Sequence, residues 1–246
     1  MFCANFPQKG SLIAANPLNL RPTVNATQRV YFPRRQPLMH ESNLHKPDSD
    51  AIAEALRRFD EINAADTNRI IIESTEHPTA LFHANRLSYW IGRLNPTPST
   101  ALTLAARCQH LKRYEHPRSA YAEGREGYLK WRKDLSKLHA ALSAEILTEC
   151  GVDPQIIDEV KRINLKEGMR FHPDVQTMED ALCLLTLEHQ MDGLIASSSE
   201  EQLLGIIEKV WKKMSESGRT LAGEIEHSAE VRQALTLLLD KETQSN

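Results

Sequence analysis

Residues 78–94 read PTALFHANRLSYWIGRL, and this stretch decides the fold class of the chain. Its apolar side chains recur three or four positions apart, which places them on one face of an α-helix. These residues are Ala80, Ala84, Leu87, Ile91 and Leu94. Pro78 suits a first helical turn, whereas Pro96 and Pro98 prevent the helix from continuing. The sequence therefore predicts an amphipathic helix over residues 78–94.

Apolar residues keep this helical spacing along almost all of the chain from Asp48 onward. We predict eight helices, at about residues 49–65, 78–94, 99–113, 126–150, 154–167, 177–191, 199–217 and 221–239. Three of them have a predicted N-terminal cap, at Ser99, Asp153 and Ser198 or Ser199. The run Arg69–Ile72 has a β-like pattern, and we interpret it as a buried loop. The sequence thus predicts an all-α protein with a single globular domain over residues 48–246.

The composition argues against a membrane-spanning or disulfide-bonded protein. The 246 residues are 41% hydrophobic, which is enough for one substantial core. No run of about 18 uncharged apolar residues occurs, so we predict no membrane-spanning segment. The four cysteines lie far apart without a Cys-x-x-Cys pair, which indicates neither disulfides nor a thiolate zinc site. We therefore expect an intracellular, cytoplasmic protein.

The first 40 residues differ from the rest of the chain in charge. They hold five basic residues and five prolines but no acidic residue, which leaves 25 basic against 33 acidic residues, a net charge of −8, for the remainder. This composition is typical of a transit peptide, which would direct the protein to the mitochondrion or a plastid. The alternatives are a disordered tail, or an extension upstream of a natural start at Met39. We assign residues 1–47 to a disordered or targeting-like leader outside the folded domain.

Four polar residues interrupt the apolar faces of the predicted helices. His83, His110 and His139 lie on three different helices, on or next to the buried face, and Asp180 lies near the start of a fourth. A buried polar group without a partner costs about 1–3 kcal/mol, so these groups are expected to share a network, a water cluster or a metal. Neutral imidazoles and a carboxylate suit manganese, iron or zinc, which can activate water for hydrolysis. We predict all four as metal ligands, with His110, His139 and Asp180 as the catalytic residues.

Each of these residues also has a structural alternative. A histidine beside an apolar stripe can be an ordinary core residue whose nitrogens are satisfied by neighbours. Asp180 follows Thr177 at capping-box spacing, so its carboxylate can simply return to the start of its helix. The remaining histidines of loops, turns and the leader are predicted to be bystanders, namely His40, His45, His116, His172 and His189.

A second cluster combines arginines with aromatic residues between positions 113 and 132. Its predicted phosphate-binding residues are Arg113, Arg118, Arg125 and Arg132. Guanidinium groups match phosphate oxygens and aromatic rings can stack a base, so the cluster predicts a small phosphorylated or nucleotide-like ligand. The alternative is a loop held by arginine salt bridges to an acidic domain. Extended nucleic-acid binding is unlikely because a body of net charge −8 lacks a broad basic surface.

Several stretches resemble a widespread family that is defined as a domain of unknown function and is sometimes labelled glutamyl-tRNA synthetase-like. The resemblance covers most of residues 50–220, and its most specific stretches are 105–110 (AARCQH), 117–118 (PR), 125–132 (REGYLKWR), 139–140 (HA), 179–180 (ED) and 211–215 (WKKMS). Residues 213–217 (KMSES) are similar to the Lys-Met-Ser-Lys-Ser signature of class I synthetases but depart from it at the fourth position. Such an enzyme also needs a parallel sheet, so we do not predict an aminoacyl-tRNA synthetase.

A more distant similarity is to the HD-domain phosphohydrolases, all-α enzymes in which a His, a His-Asp doublet and a later Asp hold a catalytic metal. His83, His110 and Asp180 follow that order, but Leu111 stands where the doublet has its Asp. The resemblance implies an HD-like helical core and a metal-dependent hydrolase acting on a phosphorylated small molecule or nucleotide. The departure at Leu111 favours the alternative, a non-catalytic helical binding or adaptor protein that recognises an anionic ligand through its Arg/Tyr loop.

Overall fold

Ten α-helices account for most of residues 46–169 and 171–244, the parts of the chain that this computed structural model describes. In chain order they are α1 (Lys46–Ala64), α2 (Thr79–Leu94), α3 (Thr100–Cys108), α4 (Gly124–Glu149), α5 (Pro154–Leu165), α6 (Pro173–His189), α7 (Met191–Ser197), α8 (Glu200–Lys213), α9 (Glu216–Ala222) and α10 (Ala229–Gln244). The predicted all-α class is confirmed. The leader predicted at residues 1–47 lies outside the described residues except for its last two.

The sequence predicts a buried loop at Arg69–Ile72, and that prediction is wrong. These residues form strand β1 (Arg69–Ile72), which pairs antiparallel with β2 (Thr75–Pro78). Glu73 and Ser74 make the turn with positive φ values of 49° and 66°. Two-residue turns of this kind usually contain Asn or Gly, so the sequence carries no hairpin signal here. The hairpin is also mostly exposed, and Ile71 keeps 70% of its surface accessible.

The core lies where α2 packs against α1, α3 and α6, and where α4 packs against α1 and α5. The inward face predicted for α2 is confirmed, since its apolar residues are buried apart from Leu94, which is partly buried. Fully buried side chains from six segments meet here, namely Phe59, Leu87, Leu102, Leu147, Ile163 and Leu184. Burying each such side chain contributes about 1.5–3 kcal/mol to the stability of the fold. None of the described helices is long and apolar enough to cross a membrane.

Local sequence correctly indicates where three helices begin. The side-chain oxygens of Ser99, Asp153 and Ser199 each accept a hydrogen bond from a backbone N–H in the first turn of α3, α5 and α8. These bonds satisfy N–H groups that have no partner within the helix, which stabilises each helix start by about 1 kcal/mol. The predicted caps are therefore confirmed.

Several boundaries in the second half of the chain differ from the prediction. α6 begins at Pro173 rather than at Thr177, whose hydroxyl donates to the Pro173 carbonyl. α8 ends at Lys213 and Ser215 caps α9, so Gly218 lies inside a helix instead of ending one. The last helix also begins later than predicted, and α7 is an additional helix. The predicted segment from 199 to 217 is thus two helices joined by a sharp turn.

Contacts between α6 and the start of α9 hold this turn. Ser215 donates from its backbone N–H (2.8 Å) and its hydroxyl (2.5 Å) to the Asp180 carboxylate. Gly218 lies directly against the same carboxylate, where a Cβ atom would be 2.9 Å from both Cγ and Oδ1 of Asp180. Only glycine therefore allows α9 to approach α6 this closely.

We expect the substitution Gly218→Ala to destabilise the protein by about 1–3 kcal/mol, because the added methyl group overlaps a carboxylate that is bonded to Ser215. Urea unfolding followed by circular dichroism measures this change. Gly205→Ala in α8 is the matched control, since a Cβ there meets no atom within 4 Å. The control should be neutral or gain up to about 1 kcal/mol from its higher helix propensity. Equal unfolding midpoints for the two variants would contradict this account of the α6–α9 contact.

Candidate functional site

Three of the predicted site histidines lie side by side where α2, α4 and the segment after α3 meet. The ring centroid of His83 is 5.5 Å from that of His110, which is 6.3 Å from that of His139. His110 and His139 are only 4% and 3% exposed, whereas His83 is partly buried. The structure therefore brings together residues that are 27 and 29 positions apart in the chain.

The end of α3 places His110 in this cluster. The sequence predicts a helix continuing to about residue 113, but α3 ends at Cys108 and Lys112 adopts a left-handed conformation with φ of 51°. His110 consequently sits in a tight turn, where its carbonyl accepts a hydrogen bond from the backbone of Arg113 (3.1 Å). The turn points the imidazole toward α2 and α4, so its position depends on the backbone turn rather than on helical spacing.

Asn164, near the end of α5, links α5 to α4 and to the end of α3. Its amide nitrogen lies 3.4 Å from the thiol sulfur of Cys108 and 3.2 Å from the hydroxyl of Ser143. The backbone carbonyl of Asn164 accepts a hydrogen bond of 2.9 Å from the hydroxyl of Ser136, which lies one helical turn before His139 on α4. Asn164 is therefore bonded to segments on which two of the site histidines lie.

The electrostatic environment keeps all three histidines neutral. Burial lowers the pKa of each imidazole well below its usual value near 6.5, and nearby positive charge lowers it further. The charge of Arg113 acts on the pKa of all three, and that of Arg132 acts on the pKa of His110 and His139. At neutral pH each ring thus offers one N–H donor and one acceptor nitrogen.

Two of these rings have nitrogen atoms without a hydrogen-bond partner. Nδ1 of His110 and Nε2 of His139 are buried, and neither makes a hydrogen bond with the described residues. A buried nitrogen in this condition costs about 1–3 kcal/mol, and natural proteins leave few of them unpaired. Of the nine unpartnered buried side-chain atoms among the described residues, two therefore lie in the histidine cluster.

Two of the four arginines predicted to bind phosphate, Arg113 and Arg132, act electrostatically on the histidines. The guanidinium of Arg113 stacks 4.8 Å from the ring centroid of Trp131, whose indole N–H donates to the His116 carbonyl (2.9 Å). Arg132 donates to the hydroxyl of Tyr128 (3.1 Å). Stacking and hydrogen bonding restrict both guanidinium groups.

The other two predicted phosphate ligands are placed differently. Arg118 donates to the carbonyls of Tyr121 (3.0 Å) and Gly124 (3.2 Å), so it holds the loop that precedes α4. Arg125 is exposed in the first turn of α4. The alternative of an arginine-held loop therefore describes Arg118, although its partners are backbone carbonyls rather than carboxylates.

Asp180, predicted as a metal ligand, is committed to the α6–α9 contact. Besides Ser215, it accepts a hydrogen bond from the side chain of Gln176 (2.9 Å). Burial raises its pKa, while these hydrogen bonds oppose the rise. The capping-box alternative does not describe it either, because Thr177 lies within α6 rather than at its start. In the described structure Asp180 acts as an anchor between two helices.

The ligand set predicted for a divalent metal is only partly brought together in the described structure. The carboxylate of the predicted ligand set is engaged elsewhere, and the charges of Arg113 and Arg132 next to the imidazoles repel a cation. The described residues also contain no group of three His, Cys, Asp or Glu side chains arranged to hold an ion.

Sequence reasoning missed a buried ion cluster formed by Lys166, Glu179 and Lys213. Glu179 is only 2% exposed, accepts a hydrogen bond from Lys166 and lies 3.3 Å from the ammonium of Lys213. Lys166 follows the end of α5 in a left-handed conformation with φ of 60°. The only available signal was that residues 179–180 and 211–215 are among the stretches that resemble the family. Their side chains prove to be joined in space, through Lys213 with Glu179 and Ser215 with Asp180.

His189, predicted to be a bystander, also lies near the cluster. Its ring is edge-on to Phe82 with centroids 4.8 Å apart, and its Nε2 atom is 3.1 Å from the Glu188 carboxylate. Glu188 in turn accepts hydrogen bonds from Arg86 (3.1 Å) and from the indole of Trp90 (2.9 Å). These contacts join α2 to the end of α6 on the His83 side of the site.

The neutral histidines predict a specific loss of stability in acid. Their pKa values are lowered in the folded state, so below about pH 6.5 the unfolded chain binds protons that the folded chain does not. Stability is therefore fully present above that pH and is lost as the pH falls, by up to about 1.4 kcal/mol per pH unit for each histidine. Urea unfolding at pH 7.5, 6.5 and 5.5 measures this slope.

The variants His110→Gln and His139→Gln should each show a shallower slope than the wild type between pH 6.5 and 5.5. His172→Gln is the control, because that side chain is partly exposed and lies 3.0 Å from Glu159, away from the cluster. Slopes that are identical in the wild type and both cluster variants would show that these imidazoles titrate normally.

Comparison with known proteins identifies the family. The family model described as Domain of unknown function (DUF4202) matches residues 53–235, which is most of the chain. No curated protein and no solved structure shows a significant match. The synthetase-like label and the HD-like core remain predictions. The match spans α2 to α9 in full, including every residue of the candidate site, and the chain belongs to the DUF4202 family.

Proposed function

We propose that this protein binds a small phosphorylated or nucleotide-like molecule at the histidine–arginine site, which consists of His83, His110, His139, Arg113 and Arg132. The observation that carries the proposal is the pair of unpartnered nitrogens on His110 and His139 beside two arginines. A ligand with several acceptor oxygens would satisfy both features at once. The function favoured is therefore recognition of a compact anion.

The chemistry of the site suits an oxyanion better than a cation. Neutral imidazoles donate N–H groups without adding charge, and the arginines supply the positive field. Hydrogen bonds to a charged group contribute about 1.5–3 kcal/mol each, and binding also relieves the cost of the unpaired nitrogens. A phosphate group has enough oxygens to reach both kinds of donor.

A nucleotide-like ligand is supported by the aromatic residues that flank the arginines. Trp131 is buried and already covered by Arg113, whereas Tyr128 is partly exposed and lies next to Arg132. Stacking of a base on an aromatic ring contributes about 1–3 kcal/mol. Tyr128 is thus the ring on which the organic part of a ligand would rest.

A metal-dependent, HD-like phosphohydrolase is the second candidate. It is favoured by one observation, the convergence of three neutral imidazoles, which are the side chains that zinc, iron and manganese bind. In that case His83, His110 and His139 would supply the ligands, and Asp180 would have to leave Ser215. The metal would activate water, and the arginines would stabilise charge on the phosphoryl oxygens.

Isothermal titration of the full chain with inorganic phosphate and with adenosine monophosphate tests the leading proposal. We expect binding that weakens at least about tenfold in His110→Ala and in Arg132→Met, since each removes about one charge-assisted hydrogen bond. Arg125→Met is the matched control and should change affinity less than about twofold, because Arg125 is exposed and outside the site. Absence of binding, or equal losses in all three variants, would refute the proposed site.

Elemental analysis separates the two candidates. Protein purified without a chelator or a histidine tag is analysed by plasma mass spectrometry before and after incubation with manganese, iron and zinc salts. The binding proposal predicts less than about 0.1 equivalent of metal. Near-stoichiometric metal that disappears in His110→Ala would favour the hydrolase and justify a screen of phosphate esters.

A further inference from the structure

Glu179 on α6 is buried between two lysines that come from other parts of the chain. Lys166, just after α5, donates a hydrogen bond to Oε2 of this carboxylate, and the ammonium nitrogen of Lys213, at the end of α8, lies 3.3 Å from Oε1. The side chain of Glu179 is 2% exposed, that of Lys166 is 17% exposed and that of Lys213 is 26% exposed. The three groups therefore form one ion cluster that is largely shielded from water.

This cluster holds more positive than negative charge when all three groups are ionised. Its two ammonium groups share a single carboxylate, which neutralises only one of them. Burial disfavours an uncompensated charge, and a second ammonium group close by disfavours it further. One of the two lysines therefore loses its proton more readily than an ordinary lysine does.

Asp180, the next carboxylate along α6, does not pair with either lysine. It accepts its hydrogen bonds from neutral groups, among them the backbone N–H and hydroxyl of Ser215, and no ion pair in the described part of the chain joins it to a lysine. Two further titratable groups act on Lys166, in addition to burial and Glu179. Arg132 from α4 lowers the pKa of Lys166, and Cys183 from α6 raises it. The ion pairs of the cluster thus leave one positive charge in excess.

Lys213 is the lysine from which a proton leaves more readily. Its ammonium makes the longer contact with Glu179, and weaker pairing stabilises the charged form less. Burial lowers the pKa of Lys213 to about 8, whereas an unperturbed lysine titrates near 10.4. Its side chain is also more exposed than that of Lys166, so a small molecule can reach it. Lys213 therefore combines access with a larger fraction of neutral amine.

We propose that Lys213 is a nucleophilic lysine that forms a Schiff base with a small aldehyde or ketone, and that Lys166 and Glu179 position and activate it. The neutral amine nitrogen forms a bond to the carbonyl carbon, and both amine hydrogens leave with the carbonyl oxygen as water, which gives a C=N bond. Protonation of that nitrogen gives a cation that Glu179 can pair. This site uses none of the residues of the histidine–arginine site and does not depend on the function proposed for them.

Reductive labelling of the full chain with glyoxylate, a small aldehyde, tests this inference. Sodium cyanoborohydride donates a hydride to the imine carbon, which leaves a stable secondary amine that peptide mass spectrometry locates. At pH 7, Lys213 should be labelled at least about tenfold faster than Lys212, because more of its amine is neutral. Lys212 is the internal control, since it is the adjacent residue, is 66% exposed and pairs with Glu208.

The variant Lys166→Met tests whether the shared carboxylate activates Lys213. Without the second ammonium group, Lys213 and Glu179 form a neutral pair, so Lys213 should hold its proton more firmly. Its labelling rate at pH 7 should fall at least about fivefold, and the pH of its half-maximal rate should rise. Lys166→Arg, which keeps the charge, should stay within about twofold of the wild type. Lys161→Met removes an exposed lysine that pairs with Asp158 and is the matched control, with no expected change.

The variants are designed so that loss of folding does not imitate the expected result. Lys166→Met leaves Glu179 paired with Lys213, so no buried charge loses all of its partners, and circular dichroism checks the fold. Labelling of Lys213 that is no faster than that of Lys212 would overturn the inference. A rate that Lys166→Met leaves unchanged would overturn it as well. Anion binding at the histidine–arginine site is measured without aldehyde or reductant, so its failure is distinguishable from either result.

Discussion

Two adjacent carboxylates on α6, Glu179 and Asp180, are each only 2% exposed, and the architecture around the site depends on how they are paired. A buried charge without partners costs several kcal/mol. Glu179 is paired with the ammonium groups of Lys166 at the end of α5 and Lys213 at the end of α8. Asp180 accepts hydrogen bonds from Ser215, the cap of α9. Consecutive residues of one helix therefore fix three other helix ends. The helix itself is buried on most sides, which leaves these groups no access to bulk water.

This arrangement explains why the neighbourhood of the histidines is cationic. The carboxylates of Glu179 and Asp180 are paired with lysines and with Ser215. Arg113, after α3, and Arg132, on α4, instead place their positive charges where they act on the imidazoles. Neutral imidazoles in such a field retain their donors but resist protonation. The same three side chains next to a free carboxylate would suit a metal. Charge distribution, rather than the identity of the histidines, is thus what favours an anionic ligand.

The ion pairs of Glu179 also link distant parts of the chain. The end of α5, α6 and the end of α8 are connected through Lys166, Glu179 and Lys213. The stretch at residues 211–215 (WKKMS) contacts α6. Its Lys213 pairs with Glu179, and its Ser215 holds Asp180 while capping α9. Both residues therefore make structural contacts in the described part of the chain. Gly218 completes this junction by allowing close contact.

The sequence by itself determined the helical class, the inward face of α2, the caps at Ser99 and Asp153 and the presence of polar groups on otherwise apolar faces, because each of these follows from spacing within a few residues. It could not determine which polar groups meet. Asp180 is bonded to Ser215 at the cap of α9, and Lys166 is bonded to Glu179. These outcomes depend on left-handed turns at Lys112 and Lys166 and on how helices pack, and neither leaves a periodic pattern in the chain. Only the tertiary structure brings His83, His110 and His139 into contact, since interhelical distance is a property of the packed core.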